Sequence, residues 1–368
     1  MHLYDSIVIG GGPAGSSAAY ALARGGLRVL LIEKEKMPRF KCCAGGIPVK
    51  VRAALGFDIS SCCDAPVRGL TLSWRASRAR TVQEDRLRGW VVKREDFDHL
   101  LLRQAVSVGA EAREECAFIG MEEARAAVRV TTTRGVFRGR TVIGADGARS
   151  LVARRLGADR RRQFGVALET RVVVPDRILA ERGGVLSFDL GAVPGGYGWI
   201  FPLRDCLNAG VATRRPSFRK LKDCLWDYLR REGIRAESAA AGVRGGALAF
   251  RFSPFGIVKG RCLLAGAAAG LTDRLTGEGI YQAIVSGQLA ARAVKDHVSG
   301  GAPLAAYRKM VRHVLGENLA MAGLLSRLTD LFPEKMFELS CRDDQRIRKA
   351  MAVVQGDLNY RDLLKKIN

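Results

Sequence analysis

The alternation of apolar and polar positions divides the chain into two kinds of segment. Residues 6–10 (SIVIG) form a short apolar, β-branched run of the kind shown by a strand buried on both faces. A helical stretch at residues 14–24 follows, Gly25 and Gly26 stop it, and residues 27–32 (LRVLLI) read as a second buried strand. Residues 141–145 (TVIGA) and 262–265 (CLLA) have the same buried-strand character. A helix is predicted at 98–108, opened by the charged segment from Lys93 to Asp98, and a long one from Thr276 to about His297. Residues 66–89, 164–213 and 242–254 read as strands of an antiparallel sheet with a helix at 223–231 lying across it. Beyond Pro303 apolar residues recur at helical spacing (Leu315, Leu319, Ala322; Leu324, Leu325, Leu328), predicting helices at about 303–322, 324–331 and 343–355. The pattern as a whole predicts an α/β protein with a second, antiparallel sheet and a helical C-terminal segment.

Composition narrows the class. With 368 residues, 48% hydrophobic and 26% charged, the chain is ordinary globular material long enough for two domains. The N-terminus shows no secretory signal. The most apolar run, residues 263–271, is about half of what a membrane-spanning helix needs. Nine cysteines without CxxC spacing argue against a zinc ribbon, an iron–sulfur cluster and a disulfide framework. A reducing cytoplasm and no metal site are therefore expected. The net charge is +23, from 60 basic and 37 acidic residues, with arginine over lysine 46 to 14. These charges are dispersed and accompany no nucleic-acid-reading motif, so nucleic acid is not an expected partner. They suit plain solvation, an anionic membrane surface or an acidic protein partner.

The candidate chemistry lies in the glycine clusters. Residues 10–15 read Gly-Gly-Gly-Pro-Ala-Gly and match GxGxxG at Gly10, Gly12 and Gly15, with Ala14 opening the helix. Strand, glycine turn, helix and second strand ending in Glu33 make a dinucleotide-binding unit. The glycines let the backbone approach a pyrophosphate, the helix N-terminus faces its charge, and Glu33 accepts hydrogen bonds from ribose hydroxyls. The chain then departs into a glycine-rich loop, residues 38–48 (PRFKCCAGGIP), too irregular for a regular element. Arg94 places a cation at a helix start, where it can hold a phosphate or a ribityl chain. Asp146-Gly147 follows the third buried strand, Gly266-Ala267 the fourth, and Gly277, Gly279 and Ile280 open the long helix. Arg39 and Ala117 complete the expected cofactor contacts.

This order of glycine motifs resembles the FAD-dependent superfamily of the aromatic hydroxylases. There the late motif reads GDAAG and its Asp binds the ribityl chain of FAD. This chain has Ala267 at that place. Within the superfamily the chain is similar to the geranylgeranyl reductase family. Its 38–48 loop resembles PRxKxCGGG, whose cysteine lies beside the flavin. Cys43 takes that place, followed by Ala44 at the first glycine position and by Gly45. Residues 196–202 (GYGWIFP) match the family's YxWxFP substrate motif. Tyr197, Trp199 and Phe201 alternate with period two and so share one strand face, an aromatic wall suited to a long apolar polyene.

The resemblance implies FAD, a polyprenyl lipid substrate whose double bonds are saturated, and NAD(P)H or reduced ferredoxin as external reductant. It makes Cys43 the residue nearest the protonation step. Two rivals remain open at this point. One is a flavin monooxygenase or halogenase of the same fold, since tryptophan halogenases carry the similar WxWxIP. The other is a flavin-poor lipid-binding relative, suggested by Ala267 and Arg274. The expected organisation is a discontinuous Rossmann-type FAD-binding domain (1–62, 90–160, 256–300), an antiparallel substrate domain (63–89, 161–255) and a C-terminal helical region (301–368). The expected location is the cytoplasm, with peripheral contact at the inner face of the membrane.

Overall fold

The structure is a computed structural model that describes residues 2–158, 162–235, 242–250 and 256–365. It resolves into two compact units: residues 1–40, 95–163 and 249–320 form the first, and residues 41–94, 164–248 and 321–368 the second.

The first unit is built on an eight-stranded sheet. Its parallel core runs, edge to edge, Cys262–Leu264, Gly135–Gly144, Leu3–Ile9, Val29–Ile32 and Glu111–Arg113. Ile7, Val8, Leu30, Leu31, Val142, Ile143 and Leu263 are fully buried, which is why these strands read as continuous apolar runs rather than as alternating ones. An antiparallel ribbon, Phe118–Glu123 with Val128–Thr132, extends from Gly135–Gly144. Helix Pro13–Arg24 packs against the long helix Ile280–Gly300. Tyr307, buried, donates its hydroxyl to the carbonyl of Leu264 at 2.9 Å and pins the next helix, Ala306–Val311, to the sheet.

Two of the differences from the predicted boundaries have a local physical cause. Helix Arg94–Ser107 starts four residues earlier than predicted, with Glu95 and Asp96 in its first turn where the helix dipole favours acids. Residues 276–279 stay in a turn, because Gly277 has φ 75° and the Asp273 carboxylate accepts the N–H groups of Leu275 and Thr276 at 2.8 and 2.9 Å.

The second unit carries a seven-stranded sheet in the order Arg244–Phe250, Gln163–Val172, Leu207–Thr213, Gly196–Pro202, Val185–Asp189, Gly69–Trp74, Arg78–Gln83. It is not wholly antiparallel as predicted: Val185–Asp189 runs parallel to Gly69–Trp74. These two strands are joined through more than a hundred residues, so no hairpin imposes opposite directions on them. Helix Leu221–Arg231 covers one face, burying Leu225, Tyr228 and Leu229 against Ile200, Leu207, Ala209 and Val211. A three-stranded sheet, Gly46–Pro48, Gly89–Val92 and Cys63–Val67, takes in the end of the segment read as irregular.

The C-terminal residues do not stand apart as a third region. Those up to Ala320 belong to the first unit and those from Met321 to the second. Helix Glu317–Leu331 runs unbroken through Gly323. Pro333–Ser340, not foreseen as a helix, sets Phe337 against Trp74, and Asp344–Gln355 buries Ile347 and Met351 against Val82. Residues 251–254 of the predicted last strand lie outside the described residues.

Two glycines of the long helix make opposite demands. A Cβ on Gly287 would stand 2.2 Å from the carbonyl oxygen of Ala14, whereas one on Gly300 meets nothing within 4 Å. Gly287→Ala should therefore cost about 1–3 kcal/mol by forcing the two helices apart, while Gly300→Ala should stay within about 0.5 kcal/mol of the parent. Thermal and denaturant melts of the two variants check the contrast.

Candidate functional site

Three neighbouring parallel strands, Leu3–Ile9, Gly135–Gly144 and Cys262–Leu264, send their following turns to one edge of the first sheet. That carboxyl edge is where open α/β sheets take their ligands. The approach is close. Gly10 has φ 107°, and a Cβ there would lie 2.5 Å from the carbonyl oxygen of Ala145. At Gly15 a Cβ would lie 1.8 Å from the carbonyl oxygen of Gly10. Gly12 precedes the helix, and no side chain caps it. Pro13 contributes no N–H, so the positive end of the helix is left for an anion. Ala14 is buried beside Gly266, whose Cβ would be 2.9 Å from that of Ala14.

Glu33 is 4% exposed. Its Oε2 accepts the Gly11 N–H at 2.7 Å and its Oε1 the Glu35 N–H at 3.1 Å, which leaves lone pairs for ribose hydroxyls. The Arg39 guanidinium stands 3.1 Å from Asp98 and 3.6 Å from Glu33, so it supports the carboxylate rather than projecting away from it. This donor set fits FAD: an uncapped helix N-terminus for the pyrophosphate and a buried, braced carboxylate for the ribose.

The remaining first-unit residues divide by what their groups already do. Asp146 caps helix Leu151–Arg155, accepting the Ser150 hydroxyl at 2.5 Å and the N–H groups of Leu151 and Val152 at 2.7 and 3.1 Å. Burial nevertheless raises its carboxyl pKa. Gly147, at φ 80°, borders open space. Gly266 donates its N–H to the Ser286 hydroxyl at 2.9 Å. The Ala267 carbonyl accepts from Arg162 at 3.0 Å, and the same guanidinium reaches the Ala148 carbonyl at 2.5 Å, tying the second glycine motif to the third. Gly277 bonds back to Asp273, Gly279 leads directly into the long helix, and Ile280 is its buried first residue. Ala117 donates its N–H to the Thr133 hydroxyl and accepts the Thr133 N–H at its carbonyl, both at 2.9 Å.

In the second unit Cys43 sits in the loop that enters Gly46–Pro48, with Ala44 beside it and Arg94 buried at the start of its helix. Gly45 has φ 83°, and a Cβ there would lie 2.2 Å from the Val92 carbonyl oxygen. Gly46 lies against the Phe201 ring, which a Cβ would approach to 2.8 Å. Both peptide groups of Cys43 are held by side chains. Its N–H donates to Glu169 Oε2 at 2.5 Å, and its carbonyl accepts from Asn208 Nδ2 at 3.1 Å. The half-buried Cys43 sulfur accepts the Gly45 N–H at 3.4 Å. Cys42 points into the interior, where burial pushes its thiol pKa far up.

Tyr197, Trp199 and Phe201 share one face of Gly196–Pro202, opposite helix Leu221–Arg231, as period two predicts. They are not equivalent. Trp199 and Phe201 are each 3% exposed, and Tyr197 alone retains surface. Phe188 makes edge contacts with Tyr197 and Phe201 at 5.6 and 5.2 Å between centroids. The Trp199 indole N–H donates to Asn208 Oδ1 at 2.9 Å.

Four residues escaped sequence reasoning: Asp98, Arg162, Glu169 and Asn208. Glu169 did leave a trace. It continues the buried period-two register of Gly165 and Ala167 in the strand Gln163–Val172. It is 2% exposed, and burial raises its carboxyl pKa against the opposing pull of the Cys43 N–H, the Cys42 thiol, Arg171 and Arg244. Asn208 gives no such signal, since its role depends on which strand pairs beside it.

Residues 4–181 match the FAD binding domain family. A geranylgeranyl diphosphate reductase of Rhodobacter capsulatus is 32% identical over 313 residues, 82% of this chain and 77% of that protein. A menaquinone reductase of Mycobacterium tuberculosis is 33% identical over 320 residues, 78% of this chain and 75% of that one. The crystal structure of a geranylgeranyl bacteriochlorophyll reductase-like protein from Thermoplasma acidophilum has the same fold, with a TM-score of 0.83 at 24% identity over 100% of this chain and 99% of the other. With the glycine-bearing turns gathered at one sheet edge and the cysteine loop anchored on its own sheet, this chain belongs to the geranylgeranyl reductase family of FAD-dependent oxidoreductases.

Proposed function

We propose that this protein saturates isolated carbon–carbon double bonds in the polyprenyl chain of a lipid, quinone, chlorophyll precursor or free diphosphate. One observation carries the reading: the Cys43 peptide is fixed on both sides while its thiol stays half-buried, in a unit that also carries the apolar surface of Tyr197 and Phe188. A polyene offers nothing to hydrogen-bond, so aromatic and aliphatic surface is what recognises it. Reduced FAD, when bound, supplies a hydride.

The alkene has no electron-withdrawing group, so it must receive a proton before or together with the hydride. Protonation goes to the less substituted carbon, which leaves positive charge on the tertiary one. Proton plus hydride turns one C=C into one CH–CH. The Cys43 thiol holds the proton for this step and regains it from water.

The electron donor is NAD(P)H in transient contact or an acidic carrier such as ferredoxin, to which a chain of net charge +23 is attractive. No helix among the described residues is long and apolar enough to cross a membrane. Leu324, Leu328, Leu331 and Phe332 are exposed, with Arg327 and Lys335 exposed among them, which favours a peripheral contact with an anionic membrane surface from the cytoplasmic side.

The deciding experiment is the mass of a geranylgeranylated lipid after incubation with the anaerobically reduced protein. A gain of one H2 per saturated bond, with the flavin reoxidised, is the expected result. An unchanged mass with flavin bound, or an oxygenated or halogenated product in air, would move the reading to a monooxygenase or halogenase. An unchanged mass without flavin would leave a lipid-binding relative. Cys43→Ala should lower the reduction rate about 10²-fold with flavin content unaltered, and unchanged turnover would remove Cys43 from the chemistry.

Two further outcomes follow from single positions. Restoring a carboxylate with Ala267→Asp should tighten FAD binding about tenfold or more, the worth of one charge-assisted hydrogen bond of about 1.5–3 kcal/mol, read by flavin fluorescence titration. Glu169 has a pKa raised by burial. Its contribution to stability is thus present below its ordinary value of 4.5 and is lost as pH rises above it. Glu169→Gln stays neutral throughout, so the Tm of the variant should gain on that of the parent as the pH is raised from about 4.5 to about 8. A pH-independent difference would contradict the buried-carboxyl assignment.

A further inference from the structure

Trp199 belongs to the aromatic motif read from the sequence as a substrate wall, yet its surroundings leave it little to offer a substrate. It is 3% exposed. Its ring fills the space above Gly210, where a Cβ would lie 2.1 Å from the ring. Its one polar group, the indole N–H, is spent on Asn208 Oδ1 at 2.9 Å. We propose that Trp199 is a positioning residue for Cys43, acting through Asn208, with Glu169 holding the other side of the same residue.

The argument rests on how an amide side chain is oriented. Asn208 is 4% exposed and can present either its oxygen or its NH2 group to the Cys43 carbonyl. The indole is a donor only, so it fixes the oxygen of Asn208 toward Trp199 and thereby turns the NH2 group toward the carbonyl of Cys43. Without that donor, the flipped amide would set oxygen against oxygen. On the opposite side the Cys43 N–H goes to Glu169. The main chain on either side of the Cys43 Cα is therefore determined by three buried side chains from two adjacent strands, Gln163–Val172 and Leu207–Thr213, and the next one, Gly196–Pro202. The direction of the Cα–Cβ bond, and so the placement of the sulfur, follows from that backbone. Gly210 has a part too, since only glycine leaves room for the indole in this orientation.

This inference builds on the role given to Cys43 above, and its test separates the two. Trp199→Phe keeps an aromatic ring and removes the N–H. Asn208→Asp keeps an acceptor for the indole and removes the donor to Cys43. The first readout is the rate of iodoacetamide alkylation at Cys43, resolved from the other eight cysteines by peptide mass spectrometry, without lipid or reductant. Both variants should change that rate by about fivefold or more, the scale of one lost hydrogen bond.

The second readout is turnover of a geranylgeranylated lipid. Trp199→Phe should lower kcat about tenfold with KM unchanged, and should add nothing further in a Cys43→Ala background. An unchanged alkylation rate in both variants, with only a lowered Tm, would overturn the positioning role and leave Trp199 as core. A raised KM that persists in the Cys43→Ala background would overturn it in favour of substrate contact. Should Cys43→Ala itself turn over normally, the role of Cys43 in the chemistry fails, while the alkylation rates still decide whether Trp199 and Asn208 place it.

Discussion

Helix Pro13–Arg24 is approached from two sides at distances that admit no side chain. The Gly10 carbonyl stands where a Cβ of Gly15 would be, and the Ala14 carbonyl stands where a Cβ of Gly287 would be. The first contact holds the helix start hard against the strand that feeds it, and the second brings the long helix Ile280–Gly300 in behind. Everything at the carboxyl edge of the first sheet depends on this. The helix N-terminus can face an anion only because it stays close to the strand end. Gly266 can lie beside Ala14 only because the third motif is carried in with the long helix, to which Ser286 bonds it.

The second unit solves a different problem, which is to hold the backbone of an irregular loop still at Cys43. It does so by burying polar groups, a costly choice unless each finds a partner. Glu169 has the Cys43 N–H, and Asn208 has one partner at each end of its amide. The apolar packing of helix Leu221–Arg231 on the far face gives the sheet rigidity independent of that network. A loop fixed in this way needs no regular structure of its own, which is why residues 41–45 look irregular and yet have a defined path.

The parts that were legible in the sequence are those governed by short-range rules. The glycine turn, its flanking buried strands, the carboxylate at Glu33 and the shared face of Tyr197, Trp199 and Phe201 all follow from local spacing. What stayed hidden depends on pairing between distant segments. Nothing near Asn208 in the chain says that it will lie beside Trp199 and under the Cys43 loop. The parallel pairing of Val185–Asp189 with Gly69–Trp74 is likewise set by topology and not by composition. Asp146 shows the limit of motif reasoning in another way. The residue stands where expected, but its carboxylate is committed to capping helix Leu151–Arg155. Ala267 belongs with it, since Arg162 bonds to its backbone and is indifferent to its side chain.

The hold on Cys43 is applied to its N–H and its carbonyl, groups that every residue except proline possesses. The geometry at this position is therefore separable from the chemistry. The bonds to Glu169 and Asn208 use no side-chain atom of residue 43, whose sulfur adds only its acceptance of the Gly45 N–H, and proline alone is excluded by the hydrogen bond to Glu169. Such an arrangement lets the side chain at position 43 change by a single substitution while these two backbone bonds stay intact.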